Sequence, residues 1–152
     1  MKKLTTLLWI ILLGAILSAC SGLTGNNPKA PAPESGKANV VGRVLDEATG
    51  EPLGQVMVRL AEVYRRPEDP DNGAFLIDER SSPFAYTDAE GYFVLVNVKP
   101  REYLLIIGDD LLNEDHYEII PGPDGKPKSY IPEMDQTLDV GDVRVTLSQY
   151  QP

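Results

Sequence analysis

From Asn39 to the end, apolar residues recur at every second position in short runs, and glycine, proline or acidic residues break each run after a few residues. A period of two places one face of an extended chain in a core and the other in water, so such runs read as strands. Val40, Gly42 and Val44 alternate with Val41, Arg43 and Leu45, the pattern of a half-buried strand. Val56, Val58 and Leu60 share a face opposite Gln55, Met57 and Arg59, and the alternation fails at Glu62, where the strand is expected to end. Further strands are expected at Phe84–Thr87, Tyr92–Val98, Glu102–Ile107, Tyr117–Ile120, Ser129–Ile131 and Val143–Leu147. Asp46–Pro52, Asp88–Gly91, Lys99–Arg101 and Pro121–Gly125 supply the turns. Residues 65–83 hold three prolines, an acidic cluster and Asn72-Gly73, and read as a long surface excursion with a short extended piece at Ala74–Ile77. About seven short strands without an amphipathic helix predict an all-β fold: a single antiparallel β-sandwich.

The first residues address the chain rather than fold it. Lys2 and Lys3 precede an apolar run, Leu7–Leu17, broken only by Gly14, and then Leu17-Ser18-Ala19-Cys20. This is the charged, apolar and small-residue order of a secretory leader. The apolar run is too short for the ~20 residues that span a bilayer. The residue after the small pair is the only cysteine among 152 residues. Leu-Ser-Ala-Cys resembles the bacterial lipobox, in which Cys20 would carry a diacylglycerol thioether and become the acylated N-terminus. Lipidation accounts for both the position of that cysteine and its solitude. An ordinary leader would instead leave an exported chain with an unpaired thiol. Ser21 is not the aspartate that holds lipoproteins in an inner membrane. The expected location is therefore extracytoplasmic and membrane-anchored: the outer membrane where the cell has one, otherwise the outer face of the cell membrane.

This assigns 1–19 to the signal peptide, 20–38 to the lipidated cysteine and a flexible tether, 39–148 to the sandwich and 149–152 to a tail. The tether is rich in Gly, Pro, Ser, Asn and Ala, too poor in apolar groups to offset the entropy of ordering. Loss of Lys2 and Lys3 leaves 12 basic against 23 acidic side chains, so the formal charge moves from −9 to −11. Such a surface repels nucleic acid and anionic headgroups. The chain is expected to reach the membrane through its acyl chains and to meet a protein or an envelope polysaccharide, not nucleic acid. One cysteine permits no disulfide within the chain, so the domain must stand on its apolar core.

Several stretches resemble the carboxypeptidase regulatory-like domain, a transthyretin-like (prealbumin-like) β-sandwich of about seven strands. They are Val40-x-Gly42-x-Val44, Thr49-Gly50-Glu51-Pro52-Leu53 and Val56-x-Val58 in the first half. In the second half they are Thr87-Asp88-Ala89-Glu90-Gly91-Tyr92-Phe93, then Asn97-Val98-Lys99-Pro100 before Tyr103-x-Leu105, and Val140-Gly141-x-Val143. Gly91 occupies a hairpin position suited to positive φ, and Gly42 is expected to let the facing sheet approach. Arg101 and Glu102 stand where the family usually has a glycine, so the corner there is expected to be looser and free of positive φ. The resemblance implies a non-catalytic structural or contact module without a cofactor.

Candidate sites are few. His116 is the only histidine, which excludes a His-Glu-x-x-His zinc site and leaves a general base without a placed nucleophile. Gly-x-Ser-x-Gly is absent. A purine-pathway hydrolase shares the fold, but its kin end in Tyr-Arg-Gly-Ser and need several histidines, whereas this chain ends Gln149-Tyr150-Gln151-Pro152. Oxygen-rich loops around Asp69 and Asp71, and around Asp109 and Asp110, are weak candidates for Ca2+, although glycine follows one place too early for an EF-hand loop. Tyr64, Phe75, Phe84, Tyr86 and Tyr130 lie in or beside loops, where aromatic rings next to carboxylates contact sugars or complete a core. Carbohydrate or weak Ca2+ binding is accordingly the alternative function.

Overall fold

A computed structural model describes residues 30–78, 80–108 and 117–147. The leader, Cys20, residues 20–29 of the expected tether, His116 and the tail at 149–152 lie outside the described residues. The described residues form nine strands: β1 (Ala38–Asp46), β2 (Met57–Arg66), β3 (Asp69–Leu76), β4 (Phe84–Tyr86), β5 (Tyr92–Val98), β6 (Tyr103–Gly108), β7 (Tyr117–Ile119), β8 (Ser129–Tyr130) and β9 (Thr137–Val145). They form a β-sandwich of two sheets. One has the order β5-β1-β9; the other runs β3-β2-β6-β7, with β4 also on β2 and β8 also on β6.

The two inner faces supply one core. Val40 and Val44 of β1, Val58 and Leu60 of β2, Phe93 and Leu95 of β5, Leu105 and Ile107 of β6, and Val143 and Val145 of β9 belong to a single buried cluster. Burying each such aliphatic side chain stabilises the fold by about 1.5–3 kcal/mol. The register follows from the alternation, because a slip of one residue would turn every one of these groups outward. Val58 faces Ile107 and Leu60 faces Leu105 across the β2–β6 ladder.

Four details depart from the sequence reading. The strand pairs are antiparallel except β1–β9, which is parallel, so the three-stranded sheet is mixed. Gly42 does not serve the approach of the facing sheet. It pairs with Phe93 in its own sheet, and a Cβ there would lie 2.8 Å from the Phe93 ring and 2.6 Å from Val140. β2 does not end at Glu62 but runs on to Arg66 and returns as β3, so the supposed excursion is a hairpin. The break in alternation marks instead where the inner face passes out of the core.

The fourth departure is the tether. Residues 31–37, expected to be flexible, are fastened to the domain. Buried Asn39 donates from Nδ2 to the Pro31 carbonyl at 2.6 Å and accepts the Asn97 amide at 3.0 Å. Glu34 N–H donates to Asn97 Oδ1, and Gly36 N–H to Asp135 Oδ1. Hydrogen bonds supply here what apolar side chains do not.

The turn motifs fold as their residues require. Gly91 has φ 82°, and its Cα faces the Val44 carbonyl so closely that a Cβ would come within 2.5 Å of that oxygen. Asp88 accepts from the amides of Glu90 and Tyr92, which sets the hairpin. Buried Thr87 donates its hydroxyl to the Leu53 carbonyl at 2.6 Å and accepts from Val56 N–H at 2.9 Å. The Lys99–Glu102 corner contains no residue of positive φ, as expected. Its Arg101 pairs with Glu62, and its Glu102 with Arg65 at 2.6 Å, both partners on β2.

Candidate functional site

Beyond Leu60 the inner face of β2 continues into Glu62 and Tyr64, past the end of the apolar core. The β3 hairpin and the β5–β6 corner flank it, and between them opens a cleft of about 400 Å3. Buried Leu60, Val98 and Tyr103 also line it; Tyr64, Leu76 and the turn at Ser81–Pro83 form one side, Asn97, Lys99 and Lys37 the other. Tyr64 pairs with Ala74, a partner too small to cover its ring, and is 50% exposed. Leu76 is exposed beside it.

The polar groups of this cleft are held in place. The Glu62 carboxylate pairs with Arg101 and accepts the Tyr64 hydroxyl. Desolvation, then the bond and charge of Glu62, raise the Tyr64 phenol above the usual tyrosine range. Burial first and the Glu62 charge second do the same to Tyr103. Asp78 is held below the usual carboxylate range by the Ser81 hydroxyl, which donates at 2.6 Å, and by the Arg80 amide. Asn97 adopts φ 55°, a conformation costly for a non-glycine residue and here enforced by its bonds to Glu34 and Asn39. The result is a concave surface with an aromatic side, an apolar floor and fixed hydroxyl, amide and charged groups, suited to holding a ligand with a flat apolar face and polar edges.

Apart from Tyr64, the sequence-level candidates fall elsewhere. Asp69 accepts from the Asn72 side chain at 2.9 and 3.1 Å, and Asp71 borders a groove of about 280 Å3 on the outer face, near Arg65, Phe75 and Lys126. Among the described residues no three His, Cys, Asp or Glu side chains form a group that could hold a metal ion. Asp109 and Asp110, like Cys20, lie outside the described residues. Of the five aromatic candidates, Tyr130 is buried in the core, with Lys128 Nζ 4.8 Å from its ring centroid. Tyr64 lies in the cleft, while Phe75, Phe84 and Tyr86 share the phase of Val63, Arg59 and Met57 on the outer face. Sequence reasoning missed Glu62, Leu76 and Asn97. The phase break at Glu62 was their one visible signal.

No protein-family model and no curated protein matches the chain. Solved structures resemble it distantly. A candidate carbohydrate-binding protein from Pseudomonas aeruginosa is 16% identical with a TM-score of 0.45, over 79% of this chain and 100% of that one. The shaft pilin SpaA of Lactobacillus rhamnosus GG is 10% identical with a TM-score of 0.42, over 76% and 48%. A 9R-lipoxygenase from Cyanothece PCC8801 is 16% identical with a TM-score of 0.41, over 81% and 19%. The chain thus spans less than half of the pilin and about a fifth of the lipoxygenase. Likeness at this level carries nothing about ligand or activity.

Proposed function

We propose that the protein is a lipid-anchored, extracytoplasmic β-sandwich of the cell envelope, a non-catalytic structural or interaction module that binds its partner through the cleft at the end of the sandwich. The resemblance of its turn motifs to the carboxypeptidase regulatory-like domain supports the non-catalytic reading. Leu-Ser-Ala-Cys20 supports the anchor through acyl chains. The observation that carries the contact surface is Tyr64, an exposed ring over a preformed cleft whose polar groups are already fixed by Glu62, Arg101 and Asn97. Ordering those groups in advance lowers the entropic cost of binding. The partner on this reading is a protein or an envelope polysaccharide. Tyr64 favours carbohydrate contact as the second reading, because an exposed tyrosine stacks on sugar rings.

The test is co-sedimentation of the purified chain, its acyl chains held in detergent micelles, with cell envelopes from which detergent has first extracted the lipid, so that insertion of the anchor does not contribute. Tyr64→Ala combined with Leu76→Ser removes exposed side chains only, so the denaturant midpoint should hardly move while most envelope binding is lost. Undiminished co-sedimentation of the double variant would place the contact surface elsewhere.

A further inference from the structure

Arg59, the third residue of β2, lies on the outer face of the six-stranded sheet, opposite in phase to Tyr64. Phe84 of β4 is its partner on one side and Ile106 of β6 on the other. It is only 8% exposed. Its Nη1 is buried with no hydrogen-bond acceptor. Nη2 donates to Met57 Sδ at 3.3 Å, a weak acceptor, and the guanidinium stands over the Phe84 ring at 5.4 Å. The neighbours along the face, Ala61 and Ile106, belong to a small apolar cluster. The two ion pairs among the described residues, Arg65–Glu102 and Arg101–Glu62, leave Arg59 out.

A buried guanidinium short of an acceptor destabilises a fold, and an apolar side chain would fill the same space without that cost. The guanidinium is a planar fork matched to two carboxylate oxygens, and a buried one binds such a group far better than an exposed lysine would. Beside it Phe84 and Tyr86 are 51% and 52% exposed, their rings edge to face with centroids 6.3 Å apart at 89°. They form an aromatic shelf next to the unfilled donor. β4 spans three residues, too few to bind a peptide by adding a strand, so recognition here rests on side chains. The chain carries a net charge of −9, which repels a polyanion.

We propose that Arg59, Phe84 and Tyr86 form a subsite for a single uronic-acid residue within an otherwise neutral glycan. The sugar carboxylate accepts from Nη1, and the pyranose C–H face rests on the Tyr86 ring. Entry requires the half-exposed Phe84 ring to swing aside. The subsite is independent of the end cleft, since it lies on the other face of the sheet.

The experiment titrates the labelled full chain in detergent micelles with methyl β-D-glucuronide and with methyl β-D-glucoside, which differ only in the carboxylate. Expected are saturable shifts of the Arg59, Phe84 and Tyr86 amides with the glucuronide, and affinity at least about tenfold weaker for the glucoside, the worth of one charge-assisted hydrogen bond. Arg59→Met should lose the response while keeping or raising the denaturant midpoint. Arg59→Lys, which retains charge without the fork, should bind more weakly than wild type. Equal response to both sugars, no saturable response to the glucuronide, or a response that survives Arg59→Met would overturn the proposal. A short peptide with a free terminal carboxylate that occupies the subsite more tightly than the glucuronide would overturn it too.

Discussion

Phe93 and Gly42 face each other across β5 and β1, and the ring fills the space that the missing side chain leaves. The phase of one strand is thereby tied to one small residue on its neighbour. Phe93 is buried with Leu95, whereas Tyr92 points outward and carries Arg43 over its ring at 5.0 Å. Phe93→Ala should cost about 3–5 kcal/mol, the usual range for emptying a buried aromatic site. Tyr92→Ala should cost about 1 kcal/mol or less, the worth of an exposed cation–π contact. Denaturant midpoints of the two variants decide the matter; similar midpoints would contradict the strand phase. This residue-level logic was legible in the sequence, because alternation alone separates Phe93 from Tyr92. Arg59 was legible only as an outward residue, since nothing in the sequence tells a solvated arginine from a buried one without an acceptor.

Among the elements, those with a buried face announced themselves. β1, β5 and β6 lie where the apolar alternation placed them. β3 did not, because Asp69–Leu76 is exposed along nearly its whole length and water on both faces erases the period of two. β9 starts six residues before the expected Val143, at Thr137. Val140 and Gly141 there oppose the single residue Gly42, a bulge that breaks the alternation. The fastening of residues 31–37 escaped notice because asparagine side chains and backbone amides hold it, and these leave no hydrophobic trace. The Lys99–Glu102 corner shows another replacement: charge pairs to β2 stand where a glycine turn would otherwise tighten the chain. The hydrogen bonds from Arg65 hold the Glu102 carboxyl below the usual range. Thr49 does the same to Asp46, and Ser81 to Asp78. A carboxylate with a depressed folded-state pKa stabilises above its ordinary value and loses that contribution as pH falls through the folded value. The denaturant midpoint should therefore decline below about pH 4.5, the ordinary value for Glu102. Glu102→Gln should flatten part of that decline; an unchanged acid slope would remove the Arg65–Glu102 pair from the account.

For the whole molecule, a small domain with no disulfide within the chain presents an acidic surface and depends, among the described residues, on a main apolar core, a smaller outer cluster and the ion pairs Arg65–Glu102 and Arg101–Glu62 at its corner. Attachment by charge is unfavourable, so the proposed anchor rests on Cys20 and its acyl chains, each buried CH2 of which adds about 0.8 kcal/mol to membrane affinity. Cys20→Ser should leave an unprocessed precursor, seen as a larger band by immunoblot, because lipidation precedes cleavage at such sites. Mature-sized protein free in the medium would point to an ordinary leader. The binding face makes the sharper demand. Hydroxyl-radical footprinting of the chain, free and bound to isolated envelopes, reads the exposure of Tyr64, Leu76 and Phe75 together. The account predicts that oxidation of Tyr64 and Leu76 falls several-fold on binding while Phe75, on the opposite face of the hairpin, stays as reactive as in the free chain. Oxidation of Tyr64 at the same rate in both states would contradict it.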